Sequence, residues 1–123
     1  MSRVIQTEKA AAAIGPYSQG VCVANLLFTS GQIPVCPEKG DIPEGIEAQT
    51  VQVMENLQAV AEAAGTGLEK TIKTTCYLSD MSNFAQFNSI YAGYFPGKPA
   101  RSCVAVRALP RDVLLEVEAI IEL

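Results

Sequence analysis

Near its C-terminus the chain reads Val113-Leu114-Leu115-Glu116-Val117-Glu118-Ala119-Ile120-Ile121. Successive side chains of a strand point to opposite faces, so Leu115, Val117, Ala119 and Ile121 share one face and Glu116 and Glu118 the other. A strand apolar on one side calls for a second layer on that side. Two carboxylates together on the other side are either a solvated surface or a pair of acid and base groups. The alternation alone leaves both open.

The preceding sequence supplies the second layer. From Ile46, the residues Ile46, Val53, Leu57, Val60 and Ala64 fall at helical spacing, with Glu47, Gln52, Glu55 and Glu62 elsewhere. Gly65 and Gly67 stop this helix. Thr71 to Leu78 is rich in β-branched residues and reads as a strand. Ser79-Asp80 and Ser82 then cap a second helix, whose core face is Phe84, Phe87, Tyr91 and Tyr94. Upstream, Val4-Ile5 is a short strand, and Gly15-Pro16 opens a loop carrying Tyr17. Gly20 to Ala24 and Leu26 to Ser30 form a hairpin around Asn25, a residue that tolerates a left-handed turn. Gly31 to Gly45, punctuated by Pro34, Pro37, Gly40 and Pro43, is a loop. After the second helix come strands at Arg101 to Arg107 and Val113 to Ile121, joined as a hairpin by Ala108 to Asp112. The order ββ(β)αβαββ predicts an α+β fold of two layers: one mixed sheet with two helices on one face.

The 123 residues suit one domain spanning 1–123. Charged residues make up 18% of the chain, against a usual share of about 25%. So few charges on a small domain favour a further buried face, and hence an oligomer in which neighbouring copies cover the open side of the sheet. No apolar run has the length of a membrane span. Met1 to Glu8 lacks the apolar stretch of a signal peptide, so the expected location is cytoplasmic, with reduced thiols. Cys22, Cys36, Cys76 and Cys103 are scattered and histidine is absent, so neither a metal site nor a cofactor is expected. Without histidine there is no Ser-His-Asp triad, Cys-His pair or histidine-based nuclease. Acid–base work falls to Glu, Asp, Lys, Tyr, Cys or bound water. A net charge of −4 disfavours nonspecific nucleic-acid binding.

The stretch Phe95-Pro96-Gly97-Lys98-Pro99-Ala100-Arg101-Ser102-Cys103-Val104 places one arginine at the mouth of a strand. A guanidinium is planar, always charged and forked, and can grip a small carboxylate with two parallel hydrogen bonds. The alternative is a surface arginine paired to a nearby glutamate. Arg101, Cys103 and Ala105 share a strand face. The nearby cation offers to lower the thiol pKa of Cys103, and burial offers to keep it inert. Ser30-Gly31-Gln32 ends a strand on a glycine that can be approached closely.

Taken together, Ile14-Gly15-Pro16-Tyr17-Ser18-Gln19-Gly20, Thr29-Ser30-Gly31-Gln32-Ile33-Pro34, Pro99-Ala100-Arg101-Ser102-Cys103-Val104, Leu109-Pro110 and Glu116-Val117-Glu118-Ala119-Ile120 occur in an order that resembles the RidA (YjgF/UK114) family. The resemblance runs from about Ile5 to Ile121. It implies a chorismate-mutase-like (bacillus-type) homotrimer: a trimeric barrel of sheets with helices outside and ligand clefts between subunits. It also implies hydrolytic deamination of reactive enamines and imines, 2-aminoacrylate/2-iminopropanoate and 2-iminobutanoate, to 2-oxo acids and ammonia. By match, Arg101 holds the substrate carboxylate with help from the backbone amide of Cys103. Tyr17, Ser30, Gly31 and Asn88 line the cleft, and Glu116 positions or activates water. The chain departs from the family pattern at Ala24, where a glycine is frequent, and in its short Pro96 to Pro99 loop.

An imine already reacts with water, so the chemistry needs no strong nucleophile. Fixing the carboxylate fixes the imine carbon, and a nearby carboxylate orients the water. Two other functions compete. Relatives have been described as translation inhibitors with ribonuclease activity, and Lys98, Arg101, Arg107 and Arg111 concentrate four of the nine cations in one segment. The third possibility is a trimer that only binds small ligands.

Overall fold

The computed structural model describes residues 1–123. Six strands, β1 (Arg3–Ile5), β2 (Gly20–Val23), β3 (Leu26–Thr29), β4 (Thr71–Leu78), β5 (Ala100–Ala105) and β6 (Leu115–Glu122), accompany two helices, α1 (Ile46–Ala63) and α2 (Phe84–Tyr94). The strands form one sheet in the order β1-β2-β3-β6-β4-β5. Only β4 and β5 run parallel; the other neighbours are antiparallel. The fold is α+β, with two helices over one face of a mixed sheet.

The alternating strand β6 lies near the middle. Leu115, Val117, Ala119 and Ile121 are buried, and their register partners Leu78, Cys76 and Thr74 on β4 are buried with them. On this face α1 lays Val53, Met54, Leu57 and Val60, all fully buried. Burying a side chain of this size stabilises by about 1.5–3 kcal/mol. α1 ends in a Schellman motif: Thr66 N donates to Ala61 O and Gly65 N to Glu62 O, both at 3.0 Å, with Gly65 at φ 88°, a conformation that suits glycine. α2 follows a 3-10 turn, Met81–Asn83, capped by the Asp80 carboxylate, which accepts from Ser82 N at 2.8 Å. That bond holds the Asp80 carboxyl below its ordinary range.

The expected C-terminal hairpin is not formed. β5 pairs with β4 on the outer edge, while β6 inserts between β4 and β3. The chain leaving β5 passes the end of β4, where Val106 N donates to Leu78 O (2.8 Å) and Ser79 N donates to Leu114 O (3.0 Å). The physical reason is the helix between β4 and β5. A strand, a crossover helix and a strand make parallel neighbours, which leaves the far side of β4 for β6. The connection contains Arg111 and Asp112 at φ 57° and 53° and is no tight β-turn. The hairpin of β2 and β3 is present, with Val23 opposite Leu26. Its left-handed residue is Ala24, at φ 53°, rather than Asn25. An alanine there carries a cost of about 1 kcal/mol that a glycine would not.

Three buried amides hold the loops. Gln19 accepts from Thr7 N (2.7 Å) and donates to the carbonyls of Thr7 and Ala11. Asn56 on α1 donates to the carbonyls of Ile33 and Val35. Gln49 donates to Pro43 O and accepts from Leu114 N. Each loop is thereby fixed to the sheet–helix body, since a buried polar group deprived of its partner costs about 1–3 kcal/mol. The other face of the sheet has no layer. Val4, Val21, Phe28 and Ile120 stand in one row across β1, β2, β3 and β6, with Val4 63% and Phe28 41% exposed. No helix is long and apolar enough to cross a membrane.

Candidate functional site

Arg101 stands opposite Thr74 in the parallel ladder, so its side chain leaves the sheet on the helix-covered face. Its Nη1 donates to Asn88 Oδ1 at 2.7 Å. The guanidinium carbon lies 4.9 Å from the ring centre of Tyr91 and 5.5 Å from that of Phe84. Phe84, Asn88 and Tyr91 are spaced four and three residues apart, so they form one stripe of α2. The partner is thus a neutral amide and two aromatic faces, not the carboxylate of a surface ion pair. Four of the five guanidinium N–H donors remain for a ligand. Arg101 borders an open cleft of about 380 Å³ together with Asn88, Tyr91, Phe95, Lys98 and Pro99.

Backbone groups point alternately to the two sides of a strand. Val106 N donates inward to Leu78 O, so by parity the N–H groups of Cys103 and Arg101 face the open edge. The Cys103 amide is therefore turned to the edge of the sheet, two residues along β5 from Arg101. Its thiol is not activated. Burial pushes the Cys103 pKa up, and the opposing pull of Arg101, followed by a hydrogen bond from Cys76, does not offset it. Cys76, directly opposite on β4, is pushed up to about 12, chiefly by burial.

The remaining expected residues gather elsewhere. β3 stops at Thr29, whose hydroxyl accepts from Ala119 N at 3.0 Å, and pairing with β6 resumes at Gln32 with Val117 in both directions, 2.8 and 3.2 Å. Ser30 and Gly31 bow out between these two ties. Ser30 Oγ donates to Ser18 O at 2.5 Å. Ser30 N donates to Gln19 O, and the Gly31 N–H beside it has no partner within the chain. Gly31 packs against Glu116 so closely that a Cβ would overlap the carboxylate. Tyr17, exposed in its loop, shares with Gly31 a second hollow of about 400 Å³ walled by Ile14, Ile33, Val35 and Arg111.

Glu116 faces the uncovered side of the sheet, opposite Tyr77. Burial, then the charge of Glu118, raises its pKa above the usual carboxylate range. Glu118 in turn accepts a hydrogen bond from Tyr77 OH at 3.3 Å.

The seven expected site residues therefore form two groups. Arg101, Asn88 and Cys103 lie on the helix side at the β5 edge. Tyr17, Ser30, Gly31 and Glu116 lie where β3 meets β6, with Glu116 on the uncovered face. Arg101 and Glu116 are separated by two strand spacings, by three residues along the ladder and by the thickness of the sheet. Their Cα atoms are roughly 14 Å apart from strand geometry alone. The cations divide too: Lys98 and Arg101 border one hollow and Arg111 the other. The aromatic bed of Arg101 was hidden in the sequence, because a ring stripe at helical spacing reads as core. The available signal was Asn88, a polar residue four after one ring and three before the next.

A family model described as endoribonuclease L-PSP matches residues 7–123. A protein of Pyrococcus horikoshii named as a RutC family protein is 53% identical over 122 residues, which cover 98% of this chain and 97% of that one. The Escherichia coli protein named 2-iminobutanoate/2-iminopropanoate deaminase is 48% identical over 124 residues, covering 98% and 97%. The crystal structure of E. coli TdcF with bound serine superposes with a TM-score of 0.95 at 44% identity, covering 98% of each chain.

The raised thiol pKa gives a chemical prediction. Alkylation of Cys103 by iodoacetamide, followed peptide by peptide, is slower at pH 7 than that of a free cysteine, with a midpoint above the ordinary thiol value. A rate at or above that of free cysteine would mean that Arg101 outweighs burial.

Proposed function

This chain belongs to the endoribonuclease L-PSP family, the family of RidA and YjgF, and from that membership we propose that it hydrolyses small 2-imino acids to 2-oxo acids and ammonia. The observation that carries the proposal is the division of the site. An arginine fork with no carboxylate partner, near an edge-facing amide, occupies one face and edge of the sheet. A half-buried carboxyl with a raised pKa, packed against Gly31, occupies the other face. Neither half suffices, because carboxylate and imine carbon are adjacent atoms in the substrate while Arg101 and Glu116 are far apart in one chain.

A second copy supplies the missing half. The Arg101 edge and the Glu116 face are different surfaces, so their contact is heterologous, and a ring closes it. The family resemblance supports a homotrimer for that ring. The uncovered apolar row of Val4, Val21, Phe28 and Ile120 supports it, because burial of such a face favours association. Serine, the ligand of the E. coli TdcF structure, is a small amino acid whose carboxylate suits the same grip.

In the assembled cleft, Arg101 and the Cys103 amide hold the carboxylate, and Glu116 directs water at the imine carbon. The water oxygen bonds to carbon as the C=N π pair moves to nitrogen, and the water proton passes through Glu116 to that nitrogen. The hydroxyl proton then follows the same route. The C–N bond breaks with its electron pair on nitrogen, and ammonia leaves the 2-oxo acid. A carboxyl with a raised pKa serves both proton transfers better than an ordinary one. An enamine enters after protonation at its terminal carbon. The ribonuclease in the family name is not the activity proposed, since the cations lie in separate hollows and the net charge is −4.

The test is a coupled assay in which a serine or threonine dehydratase generates the imine and its decay is followed with and without this protein. Arg101→Ala weakens pyruvate binding at least about tenfold, since a charged hydrogen-bonded contact contributes roughly 1.5–3 kcal/mol. Arg101→Lys, a point charge without the fork, restores only part. Glu116→Gln lowers kcat and leaves pyruvate affinity nearly intact. Undiminished hydrolysis by Arg101→Ala and Glu116→Gln would remove both residues from the mechanism.

The pH profile carries a sign. Glu116 must be ionised to accept the water proton, so the acid limb of kcat/KM lies above the ordinary carboxylate range. Glu118→Gln removes a like charge, favours ionised Glu116 and moves that limb to lower pH. Burial, the larger cause, keeps it above the ordinary value. A limb that stays put or moves up contradicts the assignment.

A further inference from the structure

An arginine side chain has many rotamers to choose from, and Arg101 sits beside an open cleft. A two-pronged grip on a carboxylate needs the plane of the fork fixed in advance. Asn88 fixes one nitrogen. The guanidinium carbon lies over the ring of Tyr91, 4.9 Å from its centre. That ring is wedged between Phe87 and Phe95, with centroid distances of 5.4 and 4.5 Å, and is 7% exposed. Its hydroxyl shares a buried 2.6 Å hydrogen bond with Thr74 Oγ1 on β4. Thr74 is the register partner of Arg101 itself. The strand position that carries the arginine is thus paired with the one that anchors the ring beneath it. A phenylalanine would fill the same core space, so packing alone does not account for the hydroxyl and its threonine.

We infer that Tyr91 is a positioning residue for Arg101, its ring forming the bed of the guanidinium and its bond to Thr74 setting that bed's orientation; this rests on Arg101 as the carboxylate grip. Tyr91 acts through Arg101 and not on the substrate. The cation–π contact strengthens as water is excluded, so the bed matters most when the cleft is covered.

The experiment measures pyruvate affinity by calorimetry and imine hydrolysis by the coupled assay, on variants whose oligomeric state and melting temperature are first compared with the parent. Tyr91→Leu removes the ring. It raises the pyruvate Kd about three- to thirtyfold, the range of a partly desolvated cation–π contact, and the loss appears in KM more than in kcat. Tyr91→Phe keeps the ring but loses the bond to Thr74 that orients it, so it restores only part of the affinity, and its melting temperature falls because Thr74 loses its partner. If Tyr91→Leu does not fold, Tyr91→Met fills the space with a flexible chain and carries the same expectation. In an Arg101→Ala background, Tyr91→Leu adds nothing further to Kd. If Arg101→Ala weakens pyruvate and Tyr91→Leu does not, Tyr91 is a core residue only and the inference is overturned. Additive losses in the double variant also overturn it, since Tyr91 would then touch the ligand directly. If Arg101→Ala itself leaves pyruvate affinity unchanged, it is the proposed function that fails.

Discussion

The pleat of the sheet governs the chemistry of this protein. β6 must give Leu115, Val117, Ala119 and Ile121 to the helix layer, so Glu116 and Glu118 are forced onto the uncovered face. The parallel pairing of β4 with β5 puts Arg101 in step with buried Thr74, which forces the arginine onto the helix side. A shift of one residue in either strand would exchange its faces and break the core, so core packing enforces the separation. The same constraint that makes the fold stable keeps the two groups of proposed site residues apart within one chain.

Local interactions set the properties of each half. Glu116 is half-buried against Gly31 with Glu118 two residues away, and both effects favour its protonated form. Arg101 meets neutral Asn88 and aromatic faces, so its charge is held without being neutralised. The loops bringing Tyr17 and Gly31 into place rest on buried Gln19 and Asn56. The two hollows and the open sheet face follow from one economy: a chain with 18% charged residues places its polar groups where they orient loops or line clefts.

Much of this was legible in the sequence. Helical spacing from Ile46, the Gly65 stop and the alternation through Glu116 are local patterns, and local patterns survive into the structure. The shared face of Arg101 and Cys103 was legible for the same reason. The lateral order of the strands was not obvious, since two apolar strands joined by a short loop suggest a hairpin. The crossover helix α2 was the overlooked evidence for parallel pairing of β4 and β5. The opposition of Arg101 and Glu116 depends on register through β4, which no local pattern encodes. The behaviour of Cys103 was equally non-local, because burial by neighbouring elements outweighs the adjacent arginine. Ala24 takes the left-handed turn that residue preference assigns to Asn25.

The central claim is that each site is completed across two copies, Arg101 from one and Glu116 from the next. It is tested most directly by mixing Arg101→Ala and Glu116→Gln chains carrying different tags, isolating the mixed oligomers through both tags, and measuring imine hydrolysis. Each parent alone has one lesion in every site. In a mixed ring of three, one interface joins an intact Arg101 to an intact Glu116, so the mixed species recovers about one third of the unmodified activity. Mixed oligomers no more active than the parents would contradict the account, because sites built within single chains cannot complement one another.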